Sequence, residues 1–132
     1  MNDWLELPAF AKINLGLELL GRRPDGYWEI ATIFQTVGLS DRLRLRLRRS
    51  TDLQLGFIGR VPPALPAERR NLLWRALALA RRRFGIRHGV EVELEKNIPI
   101  ARGLGGGSSN AASALVGLLR LARRQVEPAE LA

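Results

Sequence analysis

Polar and apolar residues alternate from residue 12 to residue 19, with Ile13, Leu15, Leu17 and Leu19 on one side and Lys12, Asn14, Gly16 and Glu18 on the other. A period of two predicts a half-buried strand. The stretch GRRPDG, residues 21–26, predicts a tight turn, because proline fixes one dihedral and Asp-Gly suits a reversal. Residues 27–37 are rich in aromatic and β-branched side chains and predict the returning strand. Alternation is strictest over residues 42–49, where Leu43, Leu45 and Leu47 go to the core and Arg42, Arg44, Arg46 and Arg48 to the other face. Residues 52–58 are expected to be its hairpin partner. A last alternating strand spans residues 90–95, with glutamates outside.

Helical periodicity takes over in two places. A Pro-rich loop at 61–70 leads to Asn71, a natural cap for a helix running to Phe84, with Gly85 as its stop. A second helix is expected from Ser108 to about residue 124, with Leu115, Leu118, Leu119 and Ala122 on one face. Pro128 begins a further helical turn. The arginines of 42–48 and the glutamates of 91–95 are matched in spacing, which admits two arrangements. They pair across neighbouring strands of one sheet, or each face is solvated by itself. Charged atoms more than about 10 Å apart would exclude the pairing.

The length of 132 residues suits one domain with one core, and no repeat or linker divides it. Cysteine is absent, which excludes disulfides, thiolate metal sites and cysteine catalysis, and fits a reducing cytoplasm. His88 is the only histidine, so a multi-histidine metal site is excluded and none is expected. No apolar run is long enough to span a membrane, and the first residues lack the pattern of a signal peptide. The net charge of +8 comes almost wholly from arginine, Lys12 and Lys96 being the only lysines. An anionic partner is one reading; dispersed arginines on solvated faces, from a genome rich in Arg codons, is the other. The two lysines stand out, because a lysine kept where arginine is the rule points to a need for a compact ammonium.

Candidate chemistry concentrates in the stretch GLGGGSSN, residues 103–110. A Walker loop needs a lysine directly before its serine, and here Gly107 stands there. A dinucleotide fingerprint needs glycine at its sixth position, which is Ser108. A nucleophile elbow needs glycine two residues after the serine, which is Asn110. The physical content survives these mismatches. Glycines let successive N–H groups turn toward an anion, and a helix start adds free N–H groups and a positive dipole end. Ser108 and Ser109 add hydroxyls for a phosphate oxygen or a metal's water shell, or serve as ordinary helix caps.

These residues also carry a resemblance. PIARGLGGGSSNAAS, from Pro99 onward, resembles the phosphate-binding motif of the GHMP kinase superfamily. The tripled glycine with Ser-Ser-Asn is similar to the branch that phosphorylates 4-diphosphocytidyl-2-C-methyl-D-erythritol in the non-mevalonate route to isoprenoids. PAFAKINLGL from Pro8, RRPDGYWEIATIFQTVGLSDRL from Arg22 and RNLLWRAL from Arg70 agree with that branch in the same order. The resemblance implies an α/β fold: a mainly antiparallel sheet with packed helices, the superfamily's N-terminal domain, with a left-handed βαβ unit. It implies ATP with Mg2+ as cofactors, a cytidine-diphosphate-linked small molecule as substrate, and a cytoplasmic location, with neither membrane nor nucleic acid as partner. Pro99, Gly103, Leu104, Gly105, Gly106, Gly107, Ser108 and Ser109 would hold the ATP phosphates. Asn71 and Lys96 would lie near the base, although Asn71 as a helix cap and Lys96 as the end of an acidic strand are equally physical readings. Lys12 would lie beside the reacting hydroxyl, Asn14 would position the substrate, and Asp25, Gly26, Tyr27 and Trp28 would help form the cytidine pocket.

The chain departs from that pattern in two places. Trp28 stands where the branch has histidine, and indole donates a hydrogen bond but cannot accept one. The aspartate of a Gly-Ala-Asp-Val-Pro stretch, the branch's general base, has no counterpart among these residues. The chain by itself is therefore expected to bind nucleotide weakly and to transfer phosphate negligibly. Two rival readings remain: a GHMP enzyme for another alcohol, and a non-catalytic basic module for nucleic acid or a partner chain.

Overall fold

The computed structural model describes residues 3–131. Strands β1 (Leu5–Arg22), β2 (Trp28–Arg48), β3 (Leu53–Ile58) and β4 (Gly89–Glu95) form one sheet in the order β1-β2-β4-β3. All neighbours are antiparallel except β3 and β4, which are parallel. Helices α1 (Leu72–Arg83) and α2 (Gly106–Leu121) supply the second layer, and single 3-10 turns occupy Glu68–Arg70 and Pro128–Leu131. The result is the expected mixed α/β fold, with β3, α1 and β4 as its βαβ unit.

Leu43, Leu45, Leu47, Val90, Val92 and Leu94 point from the sheet into one core with Leu73, Leu77 and Ala80 of α1 and Ala114, Leu118 and Leu119 of α2. Gly117 marks the closest approach of α2 to the sheet, since a Cβ there would lie 2.8 Å from Leu45 and Leu7. On the opposite face the charged side chains pair. Arg42 meets Glu95 at 2.7 Å, Arg46 meets Glu91 at 2.8 Å, and Arg44 bonds Glu93 between them. Trp4 lies against this row, its ring 4.6 Å from the Arg44 guanidinium and 4.5 Å from that of Arg46. Pairing, not separate solvation, is the arrangement adopted.

Three expectations are corrected. Strand β3 does not pair with β2; β4 lies between them. Instead β3 runs parallel to β4, with α1 as the crossover between them, while β4 sets Glu95, Glu93 and Glu91 opposite Arg42, Arg44 and Arg46 of β2. Strands expected at 27–37 and 42–49 are one continuous strand, β2, with its pairing shifted between Phe10 and Lys12 of β1. The strand at 12–19 is not half buried: Ile13, Leu15, Leu17 and Leu19 are all exposed. That part of β1 and its partner in β2 extend past the helices as a two-stranded arm with no layer over it.

Candidate functional site

Helices α1 and α2 both begin beside the glycine loop. A cleft of about 360 Å³ there is lined by Asn71, Lys96, Pro99, Gly103, Leu104, Gly105, Gly106, Gly107 and Ser108, along with residues of the 65–72 segment and Asn110. Every residue expected to hold ATP is thus brought together except Ser109, which does not line the cleft. The second helix starts at Gly106, not Ser108, and its N-cap is Gly105 with no side-chain cap. Ser108 and Ser109 therefore lie in the first turn and are not caps. The first helical bond runs from Ser109 N–H to the Gly105 carbonyl at 3.0 Å. The N–H groups of Gly106, Gly107 and Ser108 have no acceptor within the helix, as at any helix start. Ala101, Gly103 and Gly105 all have left-handed backbone (φ 57°, 73° and 68°), an alternation that curls N–H groups toward a common side.

Two glycines are required by what lies beneath them. A Cβ at Gly105 would meet Lys12 Cε and Cγ at 3.1 Å; one at Gly106 would meet Ile98 Cγ2 at 3.1 Å and Lys96 Nζ at 3.2 Å. The chain's only two lysines therefore flank the loop on adjacent residues. Gly107 is different: a Cβ there would meet nothing within 4 Å. Gly107 lines the cleft, and the missing side chain leaves room for a phosphate to approach the helix start.

Lys12 sits where the β1–β2 pairing shifts, and its own N–H donates to the Leu104 carbonyl at 3.0 Å, tying β1 to the loop. Lys12 Nζ donates to Asn14 Oδ1 at 2.7 Å, Asn14 Nδ2 donates to Thr32 Oγ at 2.8 Å, and the Thr32 hydroxyl donates to the Gly16 carbonyl at 2.6 Å. The Phe34 ring lies 5.1 Å from the ammonium. Asn71 caps α1, its side chain accepting from Leu73 N–H at 3.0 Å, while also facing the cleft. Asp25, Gly26, Tyr27 and Trp28 are not brought to it. They form the exposed turn at the arm's end, where Asp25 accepts from Tyr27 N–H at 3.1 Å and pairs with Arg23 at 2.9 Å. His88 lines a separate cleft with Arg87, Arg123 and Arg124.

The sequence reading missed Asp41, Asn110 and Thr32. Asp41 is fully buried and bonds both Lys96 and Asn110. Its signal was phase: residue 41 continues the inward series of Leu43, Leu45 and Leu47, and Lys96 continues that of Val90, Val92 and Leu94. Among the described residues there is no cluster of acidic and histidine side chains suited to a metal ion, and no helix long and apolar enough to cross a membrane.

Comparison with known proteins agrees with this geometry. Residues 71–132 match the family model described as GHMP kinases N terminal domain. The 4-diphosphocytidyl-2-C-methyl-D-erythritol kinase of Synechococcus sp. (strain JA-3-3Ab) is 50% identical over 115 residues, covering 87% of this chain and 36% of the relative. That of Moorella thermoacetica is 43% identical over 131 residues, covering 98% and 44%. A crystal structure of 4-(cytidine 5'-diphospho)-2C-methyl-D-erythritol kinase superposes with a TM-score of 0.78 at 42% identity, covering 96% of this chain and 44% of that one. Homoserine kinase from Cytophaga hutchinsonii shares the fold, with a TM-score of 0.73 at 19% identity. The chain spans less than half the length of these relatives. It belongs to the GHMP kinase family, and its similarity to the 4-diphosphocytidyl-2-C-methyl-D-erythritol kinases runs across nearly all of its residues.

Proposed function

We propose that the chain is the ATP-binding N-terminal domain, residues 1–132, of a kinase that phosphorylates the 2-hydroxyl of 4-diphosphocytidyl-2-C-methyl-D-erythritol in the cytoplasm. The observation that carries the reading is the cleft itself: it is lined by Gly106, Gly107 and Ser108, whose N–H groups are free at the start of α2, with Lys12 alongside at Gly105. A polyphosphate suits that cleft because backbone donors and a helix dipole complement its charge, and Arg70 and Arg102 line the same cleft. Mg2+ would be carried by the phosphates, with the Ser108 hydroxyl, which lines the cleft, available to its water shell. Lys12, held by Asn14, would stabilise the oxyanion of the attacking hydroxyl. The Asp25–Trp28 turn would reach the cytidine only if the arm folds toward the cleft. Trp28 can stack on a pyrimidine but cannot supply a histidine's acceptor.

Among the described residues no carboxylate lines the cleft, so the 132-residue chain should bind nucleotide without turning it over. Isothermal titration with ATP and Mg2+ is expected to give a weak single site, and a coupled ADP assay to give no turnover above background. Kinase-like turnover by this chain, or no nucleotide binding at millimolar ATP, would refute the reading. A nucleic-acid role finds little support in the arginine stripe, which is paired to glutamates.

A further inference from the structure

Beneath the glycine loop, the buried carboxylate of Asp41 takes four hydrogen bonds. Its Oδ1 accepts from the N–H groups of Asn97 at 2.6 Å and Ile98 at 2.8 Å. Its Oδ2 accepts from Lys96 Nζ at 2.5 Å and Asn110 Nδ2 at 2.9 Å. Lys96 Nζ also donates to Asn110 Oδ1 at 3.1 Å, which closes a triangle of side chains. The Lys96 side chain is only 4% exposed and that of Asp41 not at all.

The partners come from the two ends of one loop. Lys96, Asn97 and Ile98 lead out of β4, and Asn110 lies just beyond the first turn of α2. One carboxylate on β2 thus holds both ends of the glycine segment, and Gly106 rests on Ile98 and Lys96. Removing both charges from water is costly and is offset only when each is fully hydrogen-bonded to the other's surroundings. The Lys96 ammonium is committed in this way. To touch a nucleotide base it would have to leave the carboxylate exposed to an apolar interior.

We propose that Asp41 is the positioning residue of the phosphate cradle, acting through Lys96 and Asn110, and that Lys96 supports the loop instead of contacting the base. The proposal takes its ligand from the reading of the loop as an ATP site, but its claim about loop order is independent of that reading.

The test uses the 132-residue chain with ATP and with inorganic tripolyphosphate, which has no base. Asn110→Ala leaves the Asp41–Lys96 pair intact and removes only the tether to α2. It is expected to speed amide hydrogen exchange at residues 105–109 while β4 amides stay protected. It should also weaken ATP and tripolyphosphate by the same factor, about tenfold for a lost charge-assisted bond. Lys96→Met should weaken both ligands equally; if it does not fold, Asn110→Ala carries the test. Unchanged exchange at 105–109 in Asn110→Ala would overturn the proposal. So would a Lys96→Met variant that loses ATP affinity but keeps that for tripolyphosphate, because that is the signature of a base contact. If the unaltered chain binds neither ligand, the ATP-site reading falls and the exchange comparison alone judges the clamp.

Discussion

At the scale of single residues, the glycines of the loop divide by what a side chain would meet. Gly105 and Gly106 are held by their neighbours, Lys12 on one side and Ile98 with Lys96 on the other. Gly107 has no such neighbour, and its backbone is helical. Gly107→Ala should therefore raise stability by about 0.5–1 kcal/mol, the usual gain from replacing glycine in a helix. The same methyl would intrude on the cleft that Gly107 lines, and ATP affinity should fall by about tenfold or more, which is about 1.4 kcal/mol. A thermal melt and a titration on one variant test both parts, and binding equal to the unaltered chain would remove Gly107 from the cradle. That the glycine loop has the backbone freedom an anion site needs was legible from spacing alone. Which glycine serves packing and which serves a ligand was not, because that depends on atoms brought up from β1 and β4.

At the scale of elements, the Arg–Glu row joins β2 to β4. Its members are partly solvated, Arg46 and Glu91 having 32% and 20% side-chain exposure, so each pair contributes little. A double-mutant cycle with Arg46→Ala and Glu91→Ala should give a coupling of about 0.2–1 kcal/mol. That coupling should shrink from low salt to about 1 M salt, where the Debye length falls to roughly 3 Å. A coupling that ignores salt would mean a drier pair than the structure describes. Donating a hydrogen bond to Glu93 raises the Arg44 pKa above its ordinary value. The matched spacing of the two stripes was readable in the sequence, and their pairing was one of two arrangements it allowed. The place of β3 was not readable, because a short loop after β2 suggests a hairpin and nothing local announces that β4 will intervene. Helix packing makes a sharper prediction. Gly117→Ala puts a methyl 2.8 Å from Leu45 and Leu7, and overpacking of this kind should cost about 1–3 kcal/mol in a denaturant titration.

At the scale of the whole molecule, two asymmetries appear. The helix N-termini meet at the glycine cleft, while Arg81, Arg82 and Arg83 lie in the last turn of α1 and Arg120 in that of α2, with Arg123 and Arg124 just beyond. Cations at helix C-termini complement the dipole, so much of the +8 charge has a structural use with no anionic partner. The second asymmetry is the arm. Leu15, Leu17, Leu19, Ile30, Ile33 and Phe34 are all more than 40% exposed, far more apolar surface than an isolated two-stranded ribbon keeps from water. The chain is expected to bind a hydrophobic dye and to associate with itself at micromolar concentration. Leu17→Lys with Ile33→Lys should lower both signals while leaving the core melt unchanged. Dye binding unaffected by the pair would place the exposed surface elsewhere.

The sequence by itself determined which stretches are strand or helix, the leucines of the core and the glycine loop at a helix start, because periodicity and backbone freedom are local properties. It also marked Lys12 and Lys96 by their rarity. Their roles were left to the tertiary structure. Asp41 is distant from Lys96 and Asn110 along the chain and meets them only once β2, β4 and α2 are assembled. A buried charge is defined by its surroundings, not by its neighbours in sequence. For the same reason the alternation of residues 12–19 could announce a strand but not its burial. Whether one face of a strand is covered depends on where the helices lie, and here they stop short of the arm.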